Sequence, residues 1–402
     1  MMNQELEQYR HQVINWLAEH APAYCGEARK GLSLEQDVAL GKAWQALKAE
    51  HGYACITLPR EYGGGGASEL HKVIFCEEEM RYDLPLQYFS ISVNNPLPIF
   101  LRYAPQEWRQ RLGPATIRGD LIWCQLFSEP SAGSDLASLR LKAEPCEGGW
   151  MLNGQKVWTS WAQIADWGVV IARSDPSLPK HAGLTYFFLD MKSPGVSVRP
   201  IRRLGDECDL NEVFFDDVFI PDEQRLGDVN GGFRVAVETL MIERYAVTDE
   251  SGYAPTLETF IELAQHSRMD GHSAVYDPKV RSKIVEVFVE RQGMRAIHKH
   301  ALEAFTSGQA PGPEGSIRKL LLGRLRQSLG QLAMDIMGAN AVRLLPGTHP
   351  INDFTRAWQD PSLRIAGGTD ELLLNTLAER ILGLPQDHRP DKGQPFNANS
   401  RR

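Results

Sequence analysis

The chain has no apolar run near the roughly 20 residues that a membrane-spanning helix needs, so the sequence predicts no integral membrane segment. Positive charge is also short. Against 51 Asp and Glu there are 43 Lys and Arg, leaving a formal net charge of −8. No basic stripe is present to neutralise phosphates, which argues against a nucleic-acid partner. Cysteine is sparse and scattered. Cys25, Cys55, Cys76, Cys124, Cys146 and Cys208 form no Cys-x-x-Cys pair and no cluster with histidine. That pattern fits free thiols in a reducing cytoplasm better than disulfides or zinc. The opening Met1-Met2-Asn3-Gln4-Glu5 runs straight into a charged helical pattern, without a secretory signal. Internal repeats are absent. At 402 residues the chain has room for two or three units around a large core.

Periodicity divides what is there into an α+β multidomain chain. Residues 1–120 read as an N-terminal helical domain, from the spacing of Leu6, Val13, Ile14 and Leu17, then Val38, Leu40, Trp44 and Leu47. The glycine run Tyr62–Gly66 lacks the Lys-Ser/Thr of a P-loop and reads as a flexible connection. Residues 121–229 switch to alternation and predict a central β-barrel or sandwich. Within them, Asn153-Gly154 between two apolar runs predicts a hairpin turn. Residues 230–388 predict a C-terminal four-helix bundle, with segments near 231–250, 278–306, 316–339 and 369–383. The polar, Pro- and Asn-rich stretch 389–402 reads as a disordered tail.

Chemistry concentrates in Ser128-Glu129-Pro130-Ser131-Ala132-Gly133-Ser134-Asp135 and in Trp158-Thr159-Ser160. Small hydroxyl residues, a turn glycine and an aromatic wall suit a flat ring with a polar rim. They supply neither a nucleophile triad nor a metal site. Taken alone, the hydroxyls are also what an ordinary capped turn would carry, and Trp158 could be a core aromatic. The stretch Cys124–Asp135 resembles the first signature segment of the acyl-CoA dehydrogenase family. Asn153–Ser160 resembles the segment that follows it, and Gly367-Gly368-Thr369-Asp370-Glu371-Leu372, running on to Pro385, resembles the family's last flavin-contacting turn and helix. The three separated motifs stand in the family's order, and the resemblance covers the chain from about residue 5 to 385.

The resemblance implies non-covalent FAD, an acyl-CoA thioester substrate, α,β-dehydrogenation and an electron-transfer flavoprotein as acceptor. It places Phe127, Ser128, Trp158, Thr159 and Ser160 against the flavin, with Thr369 and Glu371 as further cofactor contacts. Ser134 falls where the acyl chain or pantetheine is met. A carrier-protein thioester in place of CoA stays open, as does the acyl group. In many members a carboxylate precedes the Gly-Thr pair and takes the α-proton; here that position is Gly367. Its backbone N–H can still polarise the thioester carbonyl. A second arrangement in the family, as in isovaleryl- and long-chain acyl-CoA dehydrogenases, puts the base on a bundle helix. Leu240-Met241-Ile242-Glu243-Arg244-Tyr245 resembles it, so Glu243 is the expected base and Arg244 its support. A helix-joining salt bridge is the alternative use of that pair.

Two segments depart from the family pattern. Asp335 and Gly338-Ala339 stand where Gln and Gly-Gly usually meet the FAD pyrophosphate, and no Arg-x-x-Phe-Gly is recognisable around Asp277-Pro278-Lys279-Val280-Arg281. The Gly-Gly-Thr ending resembles a bacterial subgroup, some of whose members act on steroid side-chain or dicarboxyl thioesters and assemble from unlike subunits. The expected assembly is a homo-oligomer, dimer or tetramer, with a hetero-oligomer as alternative. Competing activities are a flavin monooxygenase or oxidase on the same fold, or a non-catalytic subunit supporting a catalytic partner.

Overall fold

The computed structural model describes residues 2–203, 208–246, 256–306, 314–342, 361–389 and 393–399. They fall into two compact units, Met1–Ala246 with Asp387–Arg402, and Val247–Gln386.

The first unit begins with α1 (Met2–His20) and α2 (Leu34–Glu50). Ser33 opens α2 with a reciprocal capping box to Gln36, which satisfies two backbone N–H groups at the helix start. Of the predicted stripe, Val13, Leu17 and Trp44 are at most 1% exposed and pack with Phe75 of α3 (Glu69–Glu79), while its other members are half-buried. The glycine loop is no slack connection, because Gly64, Gly65 and Gly66 donate back to Pro59, Cys55 and Leu58. Helices α4 (Ser90–Asn94), α5 (Pro96–Tyr103) and α6 (Gln106–Arg118) complete the helical part.

The β domain is one seven-stranded sheet. Its strands are β1 (Trp123–Leu126), β2 (Lys142–Cys146), β3 (Gly149–Ser160), β4 (Trp167–Arg173), β5 (Leu184–Asp190), β6 (Val196–Ile201) and β7 (Leu210–Pro221). The order is β1-β4-β2-β3-β7-β6, with β5 also on β4. All seven residues of β4 are buried, so both its faces are covered: Val169 and Ile171 pack in one core cluster, Val170 and Ala172 in another.

The expected hairpin at Asn153-Gly154 is not formed. Strand β3 continues through these residues, and the turn lies before them, where Cys146 pairs with Gly149. Pairing with β7 wins over the local turn preference. The register shifts opposite Asp217, whose φ is +48, and Asn153 exchanges two 2.9 Å hydrogen bonds with that residue.

Helix α7 (Gly232–Ala246) closes the first unit by packing on β5 and α5. Gly232 permits this close approach: a Cβ there would lie 2.6 Å from the Thr185 carbonyl carbon. The stretch 389–402, read from composition as disordered, is ordered where it is described. Phe396 and Asn397 donate backbone hydrogen bonds to Leu178 and Pro176 of the β4–β5 loop.

In the second unit α8 (Leu257–His266), α9 (Pro278–Thr306) and α10 (Glu314–Met337) share a core of Leu257, Phe260, Val287, Met294, Leu325 and Leu329. The helices α11 (Ser362–Ile365) and α12 (Asp370–Arg380) follow, both packed on α10.

Candidate active site

One bulge in β3 lies at the residues expected to meet a ring. Between Lys156↔Val213 and Thr159↔Asn211 the strand carries one residue more than its partner. Such a bulge re-aims side chains, and here Trp158 sits at φ +60, an unusual backbone for an aromatic residue. Trp158 is 58% exposed while its neighbours Val157 and Thr159 are buried. The Thr159 hydroxyl is buried and has no hydrogen-bond partner among the described residues. A buried hydroxyl without a partner marks a place where a bound group would complete the bonding.

The Ser-Glu-Pro turn is fastened to this strand. The Ser128 carbonyl accepts from the Val157 N–H at 2.8 Å, and the Phe127 carbonyl accepts from Lys156 Nζ at 2.9 Å. Lys156 is fully buried and also donates to Glu129 Oε1 at 2.8 Å. Glu129 accepts in addition from the Arg140 and Leu141 N–H groups, at 2.6 and 2.9 Å. Burial pulls the Lys156 ammonium down to about 8 against the opposing pull of Glu129. Sequence reasoning missed Lys156. Its inward position on β3 and the acidic residue of the motif were the available signals. Ser134 and Asp135 are exposed, and Asp135 Oδ2 takes 3.0 Å from Lys180 Nζ on the β4–β5 loop.

Helix α7 meets this surface through a buried relay. The Phe127 ring stands edge-on to Tyr186 at 5.8 Å, and the Tyr186 hydroxyl lies 3.2 Å from the Thr239 hydroxyl. Glu243 follows Thr239 by four residues, about one helical turn, and so shares its face of the helix. The backbone at Glu243 and Arg244 is helical, but their side chains lie outside the described part. The other α7 carboxylate, Glu238, is committed to the Tyr103 hydroxyl and to Arg102.

The C-terminal motif belongs to the second unit. Gly367 and Gly368 have φ +65 and +99, so the turn runs through backbone that favours glycine. A glutamate at 367 would occupy a left-handed conformation in this turn. Thr369 caps α12, accepting from the Leu372 N–H at 3.2 Å, and Glu371 is exposed in the first turn. Beneath the turn Arg364 donates Nε and Nη2 to Asp370 Oδ2 at 2.8 and 2.6 Å, and Nη1 to Gln327. Lys319 donates to the Gly368 carbonyl. Sequence reasoning overlooked this support, because Asp370 lies within the motif but its partner Arg364 stands outside it.

At the two departures Asp277 and Asp335 make local contacts. Asp277 caps α9 by accepting from the Lys279 and Val280 N–H groups, with Pro278 as first helical residue. Asp335 is exposed and accepts from Gln331 on its own helix. No group of three or more His, Cys, Asp or Glu suited to a metal occurs among the described residues, and no described helix is long and apolar enough to cross a membrane.

Comparison with known proteins covers nearly the whole chain. Family models described as acyl-CoA dehydrogenase N-terminal, middle and C-terminal domains match residues 3–120, 124–218 and 230–382. Acyl-CoA dehydrogenase FadE34 of Mycobacterium tuberculosis is 38% identical over 347 residues. That match takes in 85% of this chain but 46% of FadE34, so the chain spans about half the length of that relative. Acyl-CoA dehydrogenase IpdE1 of the same organism is 35% identical over 399 residues, 96% of this chain and 99% of that one. Among solved structures, the ChsE4-ChsE5 complex from Mycobacterium tuberculosis superposes with a TM-score of 0.80 at 25% identity, covering 95% of this chain and 98% of that one.

Proposed function

Because the chain belongs to the acyl-CoA dehydrogenase family of FAD-dependent oxidoreductases, we propose that it catalyses α,β-dehydrogenation of an acyl-CoA thioester with Glu243 as the base. The observation that carries this reading is the buried, unpartnered Thr159 hydroxyl at the residue that follows the exposed Trp158. A flat ring laid on Trp158 would cover the indole, and a bound group that reaches Thr159 would give that hydroxyl its partner. Phe127, Ser128, Trp158, Thr159 and Ser160 would hold the ring, and Thr369 and Glu371 would take the rest of FAD. When bound, FAD supplies the acceptor for the hydride leaving the substrate β-carbon.

The remaining work falls to the protein. Glu243 removes the α-proton, and Arg244 steadies it. The Gly367 N–H polarises the thioester carbonyl, which acidifies that proton. Ser134 meets the acyl chain or pantetheine. An electron-transfer flavoprotein is the proposed final acceptor. Anaerobic titration with a panel of acyl-CoAs tests this. The wild-type protein should bleach with at least one of them. Glu243→Gln should keep its FAD and lose substrate-dependent bleaching, and full bleaching in that variant would remove Glu243 as the base.

A second reading concerns assembly. The match to about half of FadE34 and the likeness to a structure titled as a complex of two proteins support a heteromer of this chain with a related one. Purified alone, such a chain would be colourless or would fail to bleach until the partner is added. A yellow chain that bleaches alone supports the homo-oligomer.

A further inference from the structure

The C-terminal segment makes a set of contacts that the proposed chemistry does not use. Phe396 lies with its ring centroid 4.0 Å from the Arg173 guanidinium carbon and 5.7 Å from that of Arg140. Its backbone N–H donates to Leu178 at 2.9 Å, that of Asn397 donates to Pro176 at 3.0 Å, and Pro395 bridges to Pro179. These antiparallel backbone contacts fasten residues 395–397 to the loop 174–183 between β4 and β5.

That loop is in turn a junction between two site elements. Arg173, which is 4% exposed at its start, donates to the carbonyls of Lys180 and Ala182 within the loop, and to Ala137 and Leu139 in the turn that follows Ser134-Asp135. Lys180 bonds Asp135 directly. On the other side His181 stands edge-on to Phe233 in the first turn of α7 at 4.9 Å. Ser174 bonds Thr185 and Asn230, just before that helix.

We infer that Phe396 is a positioning residue: seated on Arg173, it clamps the 174–183 loop and so fixes the Ser134-Asp135 turn relative to the start of α7. A loop without this clamp still carries the same residues, but in a wider set of conformations. Substrate must then spend binding free energy on ordering it. Flavin contacts on β3 lie outside the clamp. The effect thus belongs to substrate binding and leaves the ring site alone. The inference rests on the acyl-thioester reading above for its kinetic consequences only.

The test compares the full chain, Phe396→Ala, Phe396→Tyr and a chain ending before Gly393, using the acyl-CoA that bleaches the wild type. Expected for Phe396→Ala and for the truncation are a KM about tenfold higher, an unchanged kcat, full FAD content and faster amide exchange within 174–183. Phe396→Tyr, which keeps a ring on Arg173, should restore both KM and exchange. Wild-type KM and exchange in Phe396→Ala would overturn the inference, as would joint loss of flavin and of thermal stability in that variant. A wild type that bleaches with no acyl-CoA, while Phe396→Ala still speeds exchange in 174–183, would remove the activity and leave the clamp standing.

Discussion

Lys156 shows how one buried side chain can hold a functional turn. Its ammonium is fully enclosed, bonds the Phe127 carbonyl and pairs with Glu129. Removing one partner of such a buried pair strands the other, which typically costs on the order of 3–5 kcal/mol. Lys156→Met should therefore lower the urea midpoint clearly, and Lys156→Met combined with Glu129→Gln should recover much of the loss. The pH dependence has a definite sign. Burial holds the folded-state value at about 8, below the ordinary 10.5. Between those values the unfolded chain binds more protons than the folded one, so this residue's contribution to stability rises with pH across that window. Urea titrations at pH 8 and pH 10 should show the wild type gaining on Lys156→Met; a gap that narrows would contradict this. The motif residues around it were legible because they are contiguous. Lys156 and Glu129 were not paired in advance, since 27 residues separate them and only the sheet brings them together.

At the scale of elements, sequence patterning located helices and strands well and misjudged one join. Asn153-Gly154 is a strong local turn signal, yet twelve residues of β3 run through it because β7 offers a bulged partner at Asp217. Such cross-strand pairing lies 64 residues away and leaves no trace in a short window. Helix α7 carries its own constraint at Gly232, where any side chain meets the backbone of Thr185 and Tyr186 within 2.8 Å. Backbone cannot swing aside as a side-chain tip can. Gly232→Ala should push the helix off β5, cost about 1–3 kcal/mol, and, if Glu243 is the base as proposed, slow proton removal. Stopped-flow bleaching against the urea midpoint would check this; an unchanged rate and midpoint would show that α7 is not held at this point.

For the whole molecule, the helical, β and helical sequence of parts could be read from periodicity alone, whereas the destination of the last residues could not. Composition around 389–402 promises no core of its own. Phe396 on the buried Arg173, together with backbone hydrogen bonds from Phe396 and Asn397, docks it, and no window average registers such contacts. The chain consequently leaves its first unit at residue 246 and comes back to it at 387, making Val247–Gln386 an insertion in connectivity. A cut at an engineered protease site between Val247 and Thr256 would give two fragments, the second ending in the docked segment. They should co-elute on gel filtration without denaturant, and separation there would show the docking too weak to matter. Topologically the C-terminus works as a second tether, so a single backbone break in the inserted unit need not set that unit free.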